Sequence, residues 1–95
     1  MHNFSVEENL NKTIVKLKKK DRVTYDAITK KVGEITNSPD IEHYKNLRNP
    51  LQQFKRIHIN GPFVLVFRYN KAEDQIRFYD FDHHDNMYGK PLTQV

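Results

Sequence analysis

Along the chain, apolar residues recur first at helical spacing and then at strand spacing. Phe4 and Val6 alternate with polar neighbours, which predicts a short edge strand. Ser5-Val6-Glu7-Glu8 has capping-box spacing, which predicts a helix starting near residue 6 or 7. Leu10, Ile14 and Leu17 form one apolar stripe on that helix and leave Lys12, Lys16, Lys18 and Lys19 largely on its other sides. Asp21 interrupts the lysine run and can cap a second helix, on which Tyr25, Ile28, Val32 and Ile35 make a single stripe. Asn37-Ser38-Pro39 stops it, because proline cannot continue the helical hydrogen-bond ladder. Two amphipathic helices joined by a tight turn form an antiparallel hairpin with only half a core, so their stripes need a sheet to cover.

The second half supplies strands. Residues 54–59 alternate, with Ile57 and Ile59 on one face and Arg56 and His58 on the other, and Asn60-Gly61-Pro62 is a turn signal. Phe63-Val64-Leu65-Val66-Phe67 is a continuous apolar run, as expected of a central strand buried on both faces. After the polar loop 70–74, Ile76 and Phe78 alternate with Arg77, Tyr79 and Phe81, a last strand that leads into His83 and His84. The expected fold is α+β, an N-terminal helical hairpin packed on a small antiparallel β-sheet in the order β-α-α-β-β-β, forming one domain over residues 1–95. With the helices on one face, the other can carry Arg56, His58, Arg77 and Tyr79.

Composition narrows the chemistry. The chain has no cysteine, which excludes disulfide frameworks, zinc ribbons and thiol nucleophiles and fits a reducing compartment. No apolar run is long enough to span a bilayer, so a soluble, cytoplasmic protein without membrane contact is expected. The net charge of +4 favours an anionic partner. Its distribution says more. Lys12, Lys16, Lys18, Lys19, Lys20, Arg22, Lys30 and Lys31 are opposed over their stretch only by Asp21 and Asp26, so the helices are the expected electrostatic footprint. The plainer alternative is that these lysines merely solvate the outer helix faces.

Imidazole is the side chain that titrates nearest neutrality, so His58, His83 and His84 are candidates for proton transfer or metal binding. Adjacent strand residues point to opposite faces, so at most one of His83 and His84 faces a given site. Asp80, Asp82, His83, His84 and Asp85 concentrate ligand types in one segment, but residues so close on one strand do not wrap a metal alone, and no metal or other cofactor is expected. The acidic neighbours can instead stabilise an imidazolium. Bland readings stand beside these: His58 as an exposed strand residue, Lys55 and Arg56 as edge charge, Arg77 as half of a surface ion pair, and Tyr79 and Phe81 as packing.

The order of elements, the segment Tyr44-Lys45-Asn46-Leu47-Arg48-Asn49-Pro50-Leu51, the strand 63–69 and the closing His83-His84-Asp85-Asn86-Met87-Tyr88 together resemble the RelE/ParE superfamily of type II toxins over nearly the whole chain. The resemblance implies a ribosome-dependent mRNA interferase, a metal-independent endoribonuclease silenced by a cognate antitoxin in a hetero-oligomer. In that mechanism the ribose 2′-hydroxyl attacks the adjacent phosphate, so the site needs a base, an acid and cations. His84 stands where RelE-like enzymes carry an arginine and the related YafQ toxin a histidine acting as general acid. By the same likeness Arg56 and His58 face the RNA and Tyr88 positions a base; on this reading His58 is the candidate base, Arg56 and Lys55 stabilise the phosphate, and Arg77 on the sheet and the basic helix residues Lys16, Lys19 and Lys20 are expected to contact RNA.

One departure bears on activity. RelE-like toxins often begin the central strand with an aromatic-arginine pair, and the corresponding step is Phe63-Val64, so that phosphate-binding arginine is missing. This favours a histidine-based variant, an altered substrate or lost catalysis. The ParE branch, which shares the fold and acts by binding its target, keeps a non-nucleolytic toxin open, as does a silenced homologue that still binds an antitoxin.

Overall fold

A computed structural model describes residues 2–47 and 52–87, apart from the side chains of His84 and Met87. The elements are β1 (Asn3–Val6), α1 (Glu8–Lys20), α2 (Arg22–Thr36), a 3₁₀ turn (Ile41–His43), β2 (Lys55–Ile59), β3 (Phe63–Asn70), β4 (Gln75–His83) and the short α3 (His84–Met87).

Local chemistry explains where the helices begin and end. Ser5 is not the N-cap that its spacing predicted, because it is held in β1 opposite Arg77. The cap is Glu7, whose carboxylate accepts from the Asn9 N–H at 2.8 Å and satisfies one of the first-turn donors that a helix leaves open. Asp21 closes α1, its N–H donating to the Leu17 carbonyl, and also caps α2 by accepting from the Thr24 N–H at 3.1 Å and the Thr24 hydroxyl at 2.6 Å. Those hydrogen bonds to the ionised form hold the Asp21 carboxyl below the usual range. Helices of 13 and 15 residues are marginal alone in water, so their stability comes from the stripe each buries.

The sheet runs β1-β4-β3-β2. The three C-terminal strands form the expected antiparallel meander, while β1 adds in parallel to β4, which makes the sheet mixed. Asn60 and Gly61, with φ of 51° and 81°, carry the chain through the β2–β3 turn in the left-handed region that these two residue types tolerate. On the helix side, Leu10, Ile28 and Ile35 pack with Ile59, Leu65, Phe67, Ile76 and Phe78, each at most 2% exposed. Fully burying such a side chain is worth about 1.5–3 kcal/mol, so this layer dominates the fold's stability.

Residue 79 breaks the alternation expected for β4. Phe67 pairs with Phe78 but Val66 pairs with Asp80, so Tyr79 is an extra residue in a β-bulge. Ile76 and Phe78 face the helices before the bulge and Phe81 does so after it, which takes Phe81 off the face of Arg77.

The N-terminus is locked by polar contacts. His2 directs Nδ1 at the Asp74 carboxylate and Nε2 at the Ser38 carbonyl, 2.7 Å away, and its N–H donates to the Thr36 carbonyl. Both ring nitrogens face acceptors, so His2 is held as an imidazolium. The Asp74 hydrogen bond raises its pKa, and the same contact lowers that of Asp74.

Candidate nucleic-acid interface

Strand parity builds the face turned away from the helices. Arg56 and His58 of β2, Val64, Val66 and Arg68 of β3, and Arg77, Asp80 and Asp82 of β4 share it, in cross-strand rows Arg56·Val66·Asp80 and His58·Val64·Asp82. Leu47 and Phe54 roof part of it, packing on Val64 and Val66 with Tyr79 alongside.

Arg56 and His58 meet at the outer edge of β2. The Arg56 Nη1 donates to His58 Nε2 at 3.0 Å. A guanidinium has no acceptor, so in this contact Nε2 can only accept. The segment before β2 runs back along this edge, with the Arg56 N–H donating to the Lys45 carbonyl at 2.9 Å, and leaves a cavity of about 460 Å³ lined by His43, Tyr44, Lys45, Arg56, Ile57 and His58. The His43 and Tyr44 rings, both lining the cavity, lie with centroids 4.0 Å apart and planes tilted by 36°, and His43 Nδ1 is directed at the Asp40 carbonyl.

At the other side of the face, β4 ends at His83 and α3 starts at His84, so the histidine pair straddles a strand–helix junction. His83 shares the parity of Phe81. Its ring stands edge-on to Phe63 at 5.8 Å, and its Nδ1 accepts from the Asp85 N–H at 3.2 Å. The His84 backbone follows Asp82 by two residues, in the row that holds His58 across Val64. Two strand spacings separate the ends of that row, roughly 10 Å. The His84 side chain and Tyr88 lie outside the described residues.

One relative decides the family. A Methanocaldococcus jannaschii protein named as a candidate toxin, RelE4, is 48% identical over 90 residues, which cover 95% of this chain and 94% of that protein. The chain belongs to the RelE family of toxins. An uncharacterised Methanosarcina mazei protein is also related, 35% identical over 93% of this chain and all of its own length. No family model matches the sequence. The fold is that of solved RelE-like toxins. A mutant of Escherichia coli RelE in the free state superposes with a TM-score of 0.71 at 19% identity, covering 99% of this chain and 97% of that one. The Staphylococcus aureus YoeB–YefM complex matches with a TM-score of 0.71 at 14% identity, over 88% and 98%.

Within this RelE-family fold, the described residues singled out by sequence fall in four places. Arg56 and His58 come together. Lys55 does not join them: it shares the parity of Ile57 and Ile59, is only 8% exposed, and donates from Nζ to the Tyr44 carbonyl at 3.1 Å and to Asn46 Oδ1 at 2.9 Å. Its ammonium holds the 44–46 segment rather than facing outward, and the alternation with Ile57 and Ile59 was the signal for it. Lys16, Lys19 and Lys20 are exposed on α1, in the helix layer behind the sheet. Arg77 lies at the turn end of the open face beside Arg68. Val64, where the RelE resemblance leads one to look for arginine, is 1% exposed beneath Leu47 and Phe54, so the centre of the face is apolar. His43 had no signal in the sequence and Tyr44 only its place in the segment that carries the resemblance, since tertiary pairing alone brings them to β2. No helix among the described residues is long and apolar enough to cross a membrane, and no three metal-ligating side chains converge among them.

Proposed function

We propose that this RelE-family chain is the toxin of a type II toxin–antitoxin pair and cuts messenger RNA on the ribosome. The observation that carries this reading is the Arg56–His58 contact, which presents an imidazole and a guanidinium at one edge of the open face. A phosphate arriving there draws Arg56 onto its oxygens and frees the Nε2 lone pair. His58 then takes the proton from the ribose 2′-hydroxyl as its oxygen attacks the adjacent phosphorus, and Arg56 stabilises the charge that builds on the phosphorane. The bond to the 5′-oxygen breaks, and His84 supplies the proton that this leaving group needs. Tyr88 positions a base. Lys16, Lys19 and Lys20, on the opposite layer, hold ribosomal RNA while the open face meets the message, which makes ribosome binding weaken steeply with salt.

The partner expected to silence this activity is a cognate antitoxin in a hetero-oligomer. The Mycobacterium tuberculosis RelBE2 toxin–antitoxin complex, whose described fold matches with a TM-score of 0.69 over 87% of this chain, is the kind of assembly meant.

The test is cell-free translation of a defined message, with cut sites mapped by primer extension with and without ribosomes. Wild type is expected to give ribosome-dependent cuts, and His58→Ala and His84→Ala to slow them by about 10²–10⁴-fold each with melting unchanged. Intact message in every lane would sink the nuclease reading. A second reading, inhibition by binding without cleavage, is favoured by the buried apolar Val64. It predicts growth arrest that survives His84→Ala.

A further inference from the structure

Arg68 and Arg77 stand directly opposite each other on adjacent strands of the open face. Like charges in that position repel, and among the described residues neither guanidinium is ion-paired. Arg77 is nonetheless held in place: Nη1 donates to the Ser5 hydroxyl at 3.0 Å, and the guanidinium lies 5.7 Å from the centre of the Tyr79 ring. Arg68 is exposed beside it. The two line a depression of about 210 Å³ together with Asn70, Glu73, Gln75 and Tyr79. Glu73 is engaged with its own turn, accepting from Asn70 Nδ2 at 3.3 Å. Arg68 lies two residues beyond Val66, the cross-strand partner of Arg56, roughly 7 Å along the strand, and Phe54 and Tyr79, with ring centroids 5.1 Å apart, pack with the intervening Val66. The depression shares no lining residue with the cavity at the Arg56–His58 edge.

We infer that Arg68 and Arg77 form a second anion site, which binds a backbone phosphate of single-stranded RNA away from the point of cleavage. The inference rests on the RNA reading above. A phosphate relieves the cross-strand repulsion by placing negative charge between two forked donors, and the pre-set Arg77 loses little freedom on binding. The Tyr79 ring is already covered by Arg77 and edged by Phe54, so the site grips the backbone and reads no base.

The experiment measures affinity of the whole chain for a short 2′-O-methyl RNA, which cannot be cut, over a series of salt concentrations. Arg68→Gln and Arg77→Gln are each expected to weaken binding several-fold whatever the sequence, and to lower the slope of log affinity against log salt by about 0.7, the value of one phosphate on a single strand. Arg68→Gln is the more informative of the two because its side chain is exposed and its loss leaves the core intact. Glu73→Gln is expected to tighten binding, an effect that damage to the fold does not produce. Wild-type affinity and slope in both arginine variants would overturn the inference. So would wild-type RNA binding combined with loss of a co-purifying antitoxin, which would assign the site to a carboxylate of a protein partner. Since the oligonucleotide reports binding alone, a wild type that binds it through Arg68 yet never cuts message would refute the nuclease reading and support this site.

Discussion

Replacing Lys55 by methionine removes the ammonium and keeps the stem that packs in the sheet, so it isolates what the charge does. The ammonium makes two hydrogen bonds, to the Tyr44 carbonyl at 3.1 Å and to Asn46 Oδ1 at 2.9 Å, at a residue 8% exposed. Hydrogen bonds from a charged donor are worth about 1.5–3 kcal/mol each. Part of that sum is offset because the variant no longer holds an ammonium out of water. A net loss of about 2 kcal/mol follows, and for a domain of this size each kcal/mol lowers the melting temperature by about 4–8 °C, giving a fall of roughly 8–16 °C. Thermal melting by circular dichroism reads the fall, and the salt dependence of RNA binding reads the alternative. If Lys55 is spent on the 44–46 segment, melting drops and the salt slope stays at the wild-type value. A Lys55→Met protein that melts like wild type but binds RNA with a shallower slope would refute the reasoning and return Lys55 to the phosphate.

The His2–Asp74 contact makes stability depend on pH. The raised pKa of His2 gives a contribution fully present below its ordinary value of 6.5 and lost as pH rises through the folded value. Asp74, whose pKa is lowered, contributes above its ordinary 3.8, and that part is lost as pH falls through the folded value. The contact is thus strongest between 3.8 and 6.5. Melting of wild type minus His2→Ala should shrink between about pH 5.5 and about pH 8.5, and a constant difference would count against the imidazolium. Phe78→Ala empties a site 1% exposed between the rings of Phe4 and Phe67, and urea unfolding should show a loss of about 3–5 kcal/mol. Val23→Ala, at a side chain 74% exposed, should stay within about 0.5 kcal/mol, and a larger effect would mean that the helix surface is engaged elsewhere.

Much of the architecture was legible because it rests on short-range periodicity. The stripe of Tyr25, Ile28, Val32 and Ile35 marks α2, and Asp21 caps it, since a carboxylate three residues before a helical N–H reaches that donor without tertiary help. The capping-box spacing at Ser5 misled for the opposite reason. Pairing with β4 takes Ser5 into a strand, and the helix waits for Glu7. The bulge at Tyr79 had no signal either. An extra residue is visible only against the partner strand, and it moved Phe81 to the helix layer.

The candidate site divides along the same line. Alternation alone placed Arg56 and His58 on one face, and the same alternation already put Lys55 on the other. It could not show that His43 and Tyr44 close a cavity beside Arg56 and His58, because that packing joins segments separated in the chain. The pairing of Arg68 with Arg77 is likewise a matter of register between β3 and β4. What the sequence determined by itself is the two long helices with their apolar stripes, the four strands and the family, all carried by residue type and local spacing. Only the tertiary structure decided the parallel addition of β1, the partners of the Lys55 ammonium and the charges that meet across strands, since register and long-range contact set them and no local pattern encodes either.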